Sequence, residues 1–226
     1  MAVREVLVAA RTARWFHAVT FVIALAGLVL QLWLAMDRPL FPGRYATPIA
    51  VWNILSYFTI WSNILVAVVA YLLARDPARQ GEWFSVLRLS GLTMITVTFL
   101  VYAVVLASIW KPIGWYKVAD QTLHYSVPII VVVGYLLFGP RPYLTRAALG
   151  WSLLIPVVWL AYTLVRGPFI TYADGGVTRH FYPYHFIDVD VIGYGQAFVN
   201  IVGVMLLMLL VGAAYWLLDR KLPARP

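Results

Sequence analysis

Runs of apolar residues, each about as long as a bilayer is thick, alternate with short polar segments along the whole chain. A helix needs roughly 20 mostly apolar residues to cross the hydrocarbon core. The runs predict helices at about 14–36, 49–74, 86–110, 119–138, 146–165 and 191–217. Stop residues sit where the runs end: Asp37-Arg38-Pro39 after the first, "RDPARQGE" after the second, Lys111-Pro112 after the third, then "GPRP", "RGP" and "DRKLP". Pro48 opens the second run. Pro128 and Pro156 fall inside the fourth and fifth, which predicts kinks tolerated where neighbouring helices satisfy the freed carbonyls. The expected fold is all-α: a polytopic membrane protein, a six-transmembrane-helix bundle forming one integral membrane domain over residues 1–226.

Composition agrees with this pattern. The chain is 63% hydrophobic, against roughly 45–50% in soluble domains. There is no cysteine, which excludes disulfides, iron–sulfur clusters and thiolate chemistry. The net charge of +8 is spread singly at the ends of apolar runs, so no basic run marks a nucleic-acid surface. The first run, Trp15 to Ala35, is too long for a signal-peptide core of about 7–15 residues and is expected to stay as a helix. Charge also sets orientation. Arg4, Arg11, Arg14, Arg75, Arg79, Arg88, Arg141, Arg146, Arg220, Lys221 and Arg225 share one side of a six-span chain. Arg38, Arg44, Lys111, Lys117, Arg166 and Arg179 share the other. The positive-inside rule then predicts both termini in the cytoplasm.

One connection stands apart. Residues 166–190, "RGPFITYADGGVTRHFYPYHFIDVD", are long for a helix connection and rich in aromatics and histidine. Two readings are open: a lid over the outer mouth of the bundle, or an interfacial aromatic belt.

Polar residues inside apolar runs carry the candidate chemistry. On a continuous second helix, Asn53, Ser56, Thr59 and Asn63 fall within about 120° of one another, a stripe that must face protein or water. Helical rise puts Thr59 about 15 Å, Tyr102 about 12 Å and His124 about 7 Å below the outer ends of their helices, with Asn200 near the level of Thr59. An imidazole can deprotonate a threonine hydroxyl for nucleophilic attack. Asn63, Ser56, Asn200 or Tyr102 are candidate donors to the oxyanion. Asp120, one turn before His124, is the nearest carboxyl to orient the ring, and Asp188 or Asp190 could reach it from the lid. The bland alternatives are that Thr59 bonds its own i−4 carbonyl, that the asparagines are interhelical contacts and that His17 is an interfacial residue. Two rival readings use other chemistry. His124, His180, His185 and an aspartate could hold zinc, although H-x-x-x-x-H is not a helical ligand pair. A non-catalytic lipid-binding or transport bundle is the other, although no broken-helix repeat or mid-helix acid supports transport.

The segments "YFTIWSNIL", "LHYSVPIIV" and "YPYHFIDVDVIGYG" resemble the androgen-induced/androgen-dependent family of membrane proteins. More closely, the chain resembles that family's bacterial six-span relatives. The animal members are threonine hydrolases that cleave fatty acid esters of hydroxy fatty acids. The resemblance implies Thr59 as nucleophile, His124 as its partner and the Tyr184–His185 segment as part of the lid. It also implies a fatty acyl ester substrate, no cofactor, and the bacterial inner membrane as location. Where the animal pattern has an acidic residue one turn after the threonine, this chain has Ser62 followed by Asn63, which predicts a difference in rate or substrate.

Overall fold

The computed structural model describes residues 3–37, 47–174 and 176–223. The predicted stop at Arg38-Pro39 and the charges Arg38, Arg44 and Arg225 lie outside these residues. The described chain is mostly helical. In order it forms α1 (Val3–Asp37), α2 (Thr47–Asn53), α3 (Phe58–Arg75), α4 (Glu82–Val101), α5 (Gly114–Gln121), α6 (Val127–Leu137), α7 (Arg146–Trp151), α8 (Leu154–Arg166), a hairpin of β1 (Thr171–Asp174) and β2 (Val177–His180), and α9 (Val189–Lys221).

Among the described residues, five helical stretches are long and apolar enough to cross a membrane: Val8–Asp37, Phe58–Arg75, Glu82–Leu106, Arg146–Phe169 and Val189–Lys221. The remaining predicted span is helical from Gly114 to Leu137 through α5, a π-turn at Thr122–Ser126 and α6. Asp120, Gln121 and His124 dilute its apolar character, and it is not one of the five. At the centre, α3 packs on α1 and α4, and α4 on α9. Leu89, Met94 and Ile95 of α4 are fully buried. Valines and leucines on α1, α8 and α9, such as Val29, Val165 and Leu210, are exposed, as a lipid-facing surface requires.

The helices depart from the predicted runs where polar contacts interrupt them. The predicted second helix is broken: α2 ends at Asn53, a 3₁₀ turn covers Ile54–Ser56, Tyr57 is extended (φ −84°, ψ 123°) and α3 starts at Phe58. The expected kink at Pro156 is a break between α7 and α8. It exposes the Ser152 carbonyl, which the Ser90 hydroxyl approaches at 3.4 Å. Pro128 is separated from the π-turn by Val127, whose N–H reaches back to Thr122 O. Inside α9, Gly193 has φ 74° and ψ 160°, a conformation reserved to glycine.

Two corrections concern charge. Arg88 and Arg141, counted among the loop charges, are buried. Arg88 donates to Gly139 O (3.0 Å) and Pro140 O (3.2 Å), and Arg141 to Leu136 O (3.1 Å) and Tyr135 O (3.3 Å). They fasten the turn after α6. His17 packs inside the bundle: only 6% of it is exposed, with its ring against Phe16 and Phe138.

The described residues of the 166–190 connection pack on the bundle at its second half. The hairpin pairs Thr171 with His180 and Tyr172 with Arg179. A 3₁₀ turn at His185–Ile187 follows, with Ile187 almost wholly buried. Tyr184 stacks on Phe186 (5.2 Å) and meets Tyr57 (5.9 Å) and Trp159 (6.2 Å).

Candidate active site

The site begins with the break before α3. In an unbroken helix the Leu55 carbonyl would accept Thr59 N–H and the Ser56 carbonyl would accept Ile60 N–H. Both carbonyls are taken by indoles instead: Trp61 Nε1 donates to Leu55 O (2.7 Å) and Trp159 Nε1 to Ser56 O (3.0 Å). Tyr57 N–H takes Ile54 O, and Ile60 N–H turns back to Tyr57 O, each at 3.0 Å. Phe58 and Thr59 therefore present their N–H groups at a helix N-terminus, where backbone donors and the dipole favour negative charge. The break also answers the simplest objection to Thr59. Its i−4 carbonyl is already occupied by Trp61, so its hydroxyl turns away from its own helix.

That hydroxyl meets His124. Thr59 Oγ1 lies 3.0 Å from His124 Nε2. The other ring nitrogen, Nδ1, is 3.1 Å from the Asp120 carbonyl oxygen and 3.2 Å from Asp120 Oδ1. Both neighbours are acceptors, so Nδ1 carries the proton and Nε2 presents a lone pair to the threonine. The π-turn at Thr122–Ser126 contains His124. Such single wide turns recur at functional sites because they redirect a side chain without ending the helix.

Tyr102 holds the other side of the ring. It stacks on His124 with centroids 3.9 Å apart and planes 19° apart, and its hydroxyl donates to Asp120 Oδ2 at 2.5 Å. Thr59, Tyr102 and Asp120 are all buried. Tyr184 enters from the connection before α9. Its hydroxyl lies near the first turn of α3, close enough to the Thr59 hydroxyl and to the N–H groups of Phe58 and Thr59 for them to act on it. Burial pushes the Tyr184 phenol up from its usual pKa, so it remains an O–H donor.

A cavity of about 610 Å³, counting its open mouth, lies against these groups. Thr59, Tyr102, His124 and Tyr184 line it, and nearly all the rest is apolar: Val97, Trp159, Phe186, Ile201, Met205 and their neighbours. Walls of this kind suit an apolar group.

Other predicted site residues lie elsewhere. Asn63 Nδ2 donates to Thr59 O (2.8 Å) and Leu123 O (3.2 Å). It clamps the backbone of the threonine turn to that of the histidine turn, and its amide is spent there rather than on an oxyanion. Ser56 and Asn53 face away from Thr59 because the helix breaks between them; Arg166 donates to Ser56 Oγ (2.9 Å) and Asn53 Oδ1 (2.6 Å). Asn200 Nδ2 donates to Phe186 O (2.9 Å) and steadies the connection. Asp188 caps α9 through Asp190 N–H, and His185 is exposed. His180 Nδ1 contacts Asp190 Oδ2 at 2.9 Å, so neither Asp188 nor Asp190 orients His124. Among the described residues no group of three or more His, Cys, Asp or Glu side chains is placed to hold a metal ion. Ser62, where the resemblance leads one to expect an acid, donates to Thr59 O (3.0 Å) and shares a hydrogen bond with Thr98 (2.9 Å). The backbone donors of Phe58 and Thr59 had no signal in the sequence, since they exist only because two indoles interrupt the helix.

Comparison of the chain with protein-family models, with curated proteins and with solved structures returns no match.

Proposed function

We propose that this protein is an intramembrane esterase that hydrolyses a fatty acyl ester through an acyl–threonine intermediate. The observation that carries the reading is the 3.0 Å contact of Thr59 Oγ1 with His124 Nε2, in a cavity otherwise apolar. His124 Nε2 takes the Thr59 proton as Oγ1 attacks the ester carbonyl carbon. Negative charge moves to the carbonyl oxygen, which takes the place of the Tyr184 oxygen beside Phe58 N–H and Thr59 N–H and accepts from both, while the Tyr184 hydroxyl turns to donate to it as well. As the tetrahedral intermediate collapses, His124 returns the proton to the departing alkoxide and the alcohol leaves. Water, deprotonated by His124, then attacks the acyl–threonine carbonyl; the bond to Oγ1 breaks, His124 returns the proton to Thr59 Oγ1, and the acid leaves. Asp120 holds the tautomer throughout, and Tyr102 holds Asp120.

In this reading Gly114–Leu137 is the sixth span, both termini are cytoplasmic, and the 166–190 connection is a lid at the outer face of a bacterial inner membrane. Substrates are long-chain esters, among them fatty acid esters of hydroxy fatty acids, entering from the bilayer.

The test is hydrolysis of p-nitrophenyl palmitate by the purified full-length protein. Thr59→Ala and His124→Ala are each expected to reduce kcat by at least about a thousandfold, as loss of one member of a catalytic unit does. Turnover that survives both substitutions contradicts the assignment. The apolar cavity also fits a non-catalytic lipid carrier, which predicts intact copurified lipid and unchanged lipid content in both variants.

A further inference from the structure

A second cavity lies toward the other end of α3, remote from Thr59. It measures about 410 Å³ with its open mouth. Val66, Val69, Ala70, Leu73, Leu92 and Val131 form apolar walls, and His17, Thr20 and Arg88 also line it. The polar side differs in character from ordinary interhelical contacts. His17 is 6% exposed and its buried Nε2 has no hydrogen-bond partner, a deficit that is costly in a closed interior. The Thr20 hydroxyl is satisfied by Phe16 O at 2.8 Å and adds no donor. Arg88, 3% exposed, donates to the carbonyls of Phe138, Gly139 and Pro140. A guanidinium has more N–H donors than those carbonyls take up.

Charge points the same way. Arg88 and Arg141 both lie over the Tyr135 ring, at 5.5 and 5.8 Å. The acid acting on Arg88 is Asp219, whose Oδ2 is engaged by the N–H groups of Tyr143 and Leu144. Two buried guanidiniums and one carboxylate thus lie around Tyr135, and an excess of buried positive charge favours an anion beside it.

We propose that this cavity binds the anionic head of a single-chain amphiphile, with a carboxylate or phosphate oxygen on His17 Nε2 and Arg88 and the acyl chain along the α3 wall. Nothing in this site touches Thr59 or His124, so it stands independently of the esterase reading. The head chemistry is shared by a free fatty acid and by a lysophospholipid phosphate.

The test uses the full-length protein in phosphatidylcholine nanodiscs, photolabelled with a diazirine derivative of palmitic acid and mapped by peptide mass spectrometry. Labelling is expected on residues 66–73, 92 or 131–135. Unlabelled palmitate or lysophosphatidate should compete at least about tenfold better than hexadecanol, which lacks the charge; the better of the two identifies the source of the head. His17→Phe keeps the ring packing and removes Nε2, and Ala70→Leu fills the apolar end. Each is expected to cut this labelling about tenfold while labelling around Trp159 and Met205 in the Thr59 cavity persists. Labelling confined to the Thr59 cavity overturns the proposal. So does equal competition by hexadecanol, or labelling unchanged in the variant that folds.

Discussion

Asp120 binds two partners that reach it from opposite sides of the imidazole. Oδ1 faces His124 Nδ1 and Oδ2 accepts from the Tyr102 hydroxyl, so the residue fixes ring and tyrosine together. Replacing it with asparagine keeps the size but offers an N–H where an acceptor is needed, which favours the wrong tautomer. Asp120→Asn is expected to lower kcat on p-nitrophenyl palmitate about a hundredfold or more, with KM within about twofold, because the tautomer matters to proton transfer and not to binding the acyl chain. A larger change in KM than in kcat would place Asp120 in substrate binding instead. Tyr184→Phe removes one of three convergent donors and is expected to lower kcat about a hundredfold; steady-state kinetics on the purified variant checks it, and an unchanged kcat would take Tyr184 out of the oxyanion site.

Between Asn53 and Phe58 the break turns an ordinary packing helix into one with a usable N-terminus. Trp61 does this by occupying the Leu55 carbonyl. Trp61→Phe leaves that carbonyl free to draw back Thr59 N–H, so kcat is expected to fall about tenfold with little change in KM; an unaffected kcat would show that the backbone donors take no part. At the start of α9, Gly193 adopts its special conformation with open space where a Cβ would sit. Gly193→Ala is therefore expected to cost about 1–3 kcal/mol by strain alone, seen as a lowered midpoint of thermal unfolding in detergent. These two elements also show the limits of reading the chain unaided. The apolar runs announced the helices because burial in lipid demands length and hydropathy that sequence displays directly. The break at Tyr57 was not legible: "NILSYFT" contains no Gly or Pro, and the interruption comes from indoles, one of them about a hundred residues away. The polar stripe drawn on a continuous helix consequently put Ser56 and Asn53 beside Thr59, whereas they contact Arg166. The hairpin in the connection was legible in principle. Asp-Gly-Gly at 174–176, flanked by β-branched and aromatic residues, is a turn signal between strands.

Across the whole molecule, depth along the helices placed Thr59, Tyr102 and His124 at comparable levels, and the structure brings those three side chains together. Depth alone could not tell them from Asn200, which sits at a similar level and bonds Phe186 O instead, because rotation about a helix axis is decided by packing. Arg88 and Arg141 contribute to the fold rather than to surface charge, yet Arg11, Arg14, Arg75, Arg79, Arg146, Arg220 and Lys221 remain to favour one side of the membrane. The proposed topology puts both termini on that side, so a fluorescent protein fused to the C-terminus is expected to mature in the cytoplasm, and an alkaline phosphatase fusion at the same point to stay inactive. Active phosphatase would reverse the orientation and put the 166–190 connection on the inner face.

The most direct measurement of the central claim is the mass of the covalent adduct left by a long-chain fluorophosphonate. A nucleophilic Thr59 activated by His124 predicts one stoichiometric adduct on the peptide carrying Thr59, absent in Thr59→Ala and strongly slowed in His124→Ala. An adduct on another residue, or labelling that persists in Thr59→Ala, would contradict the account.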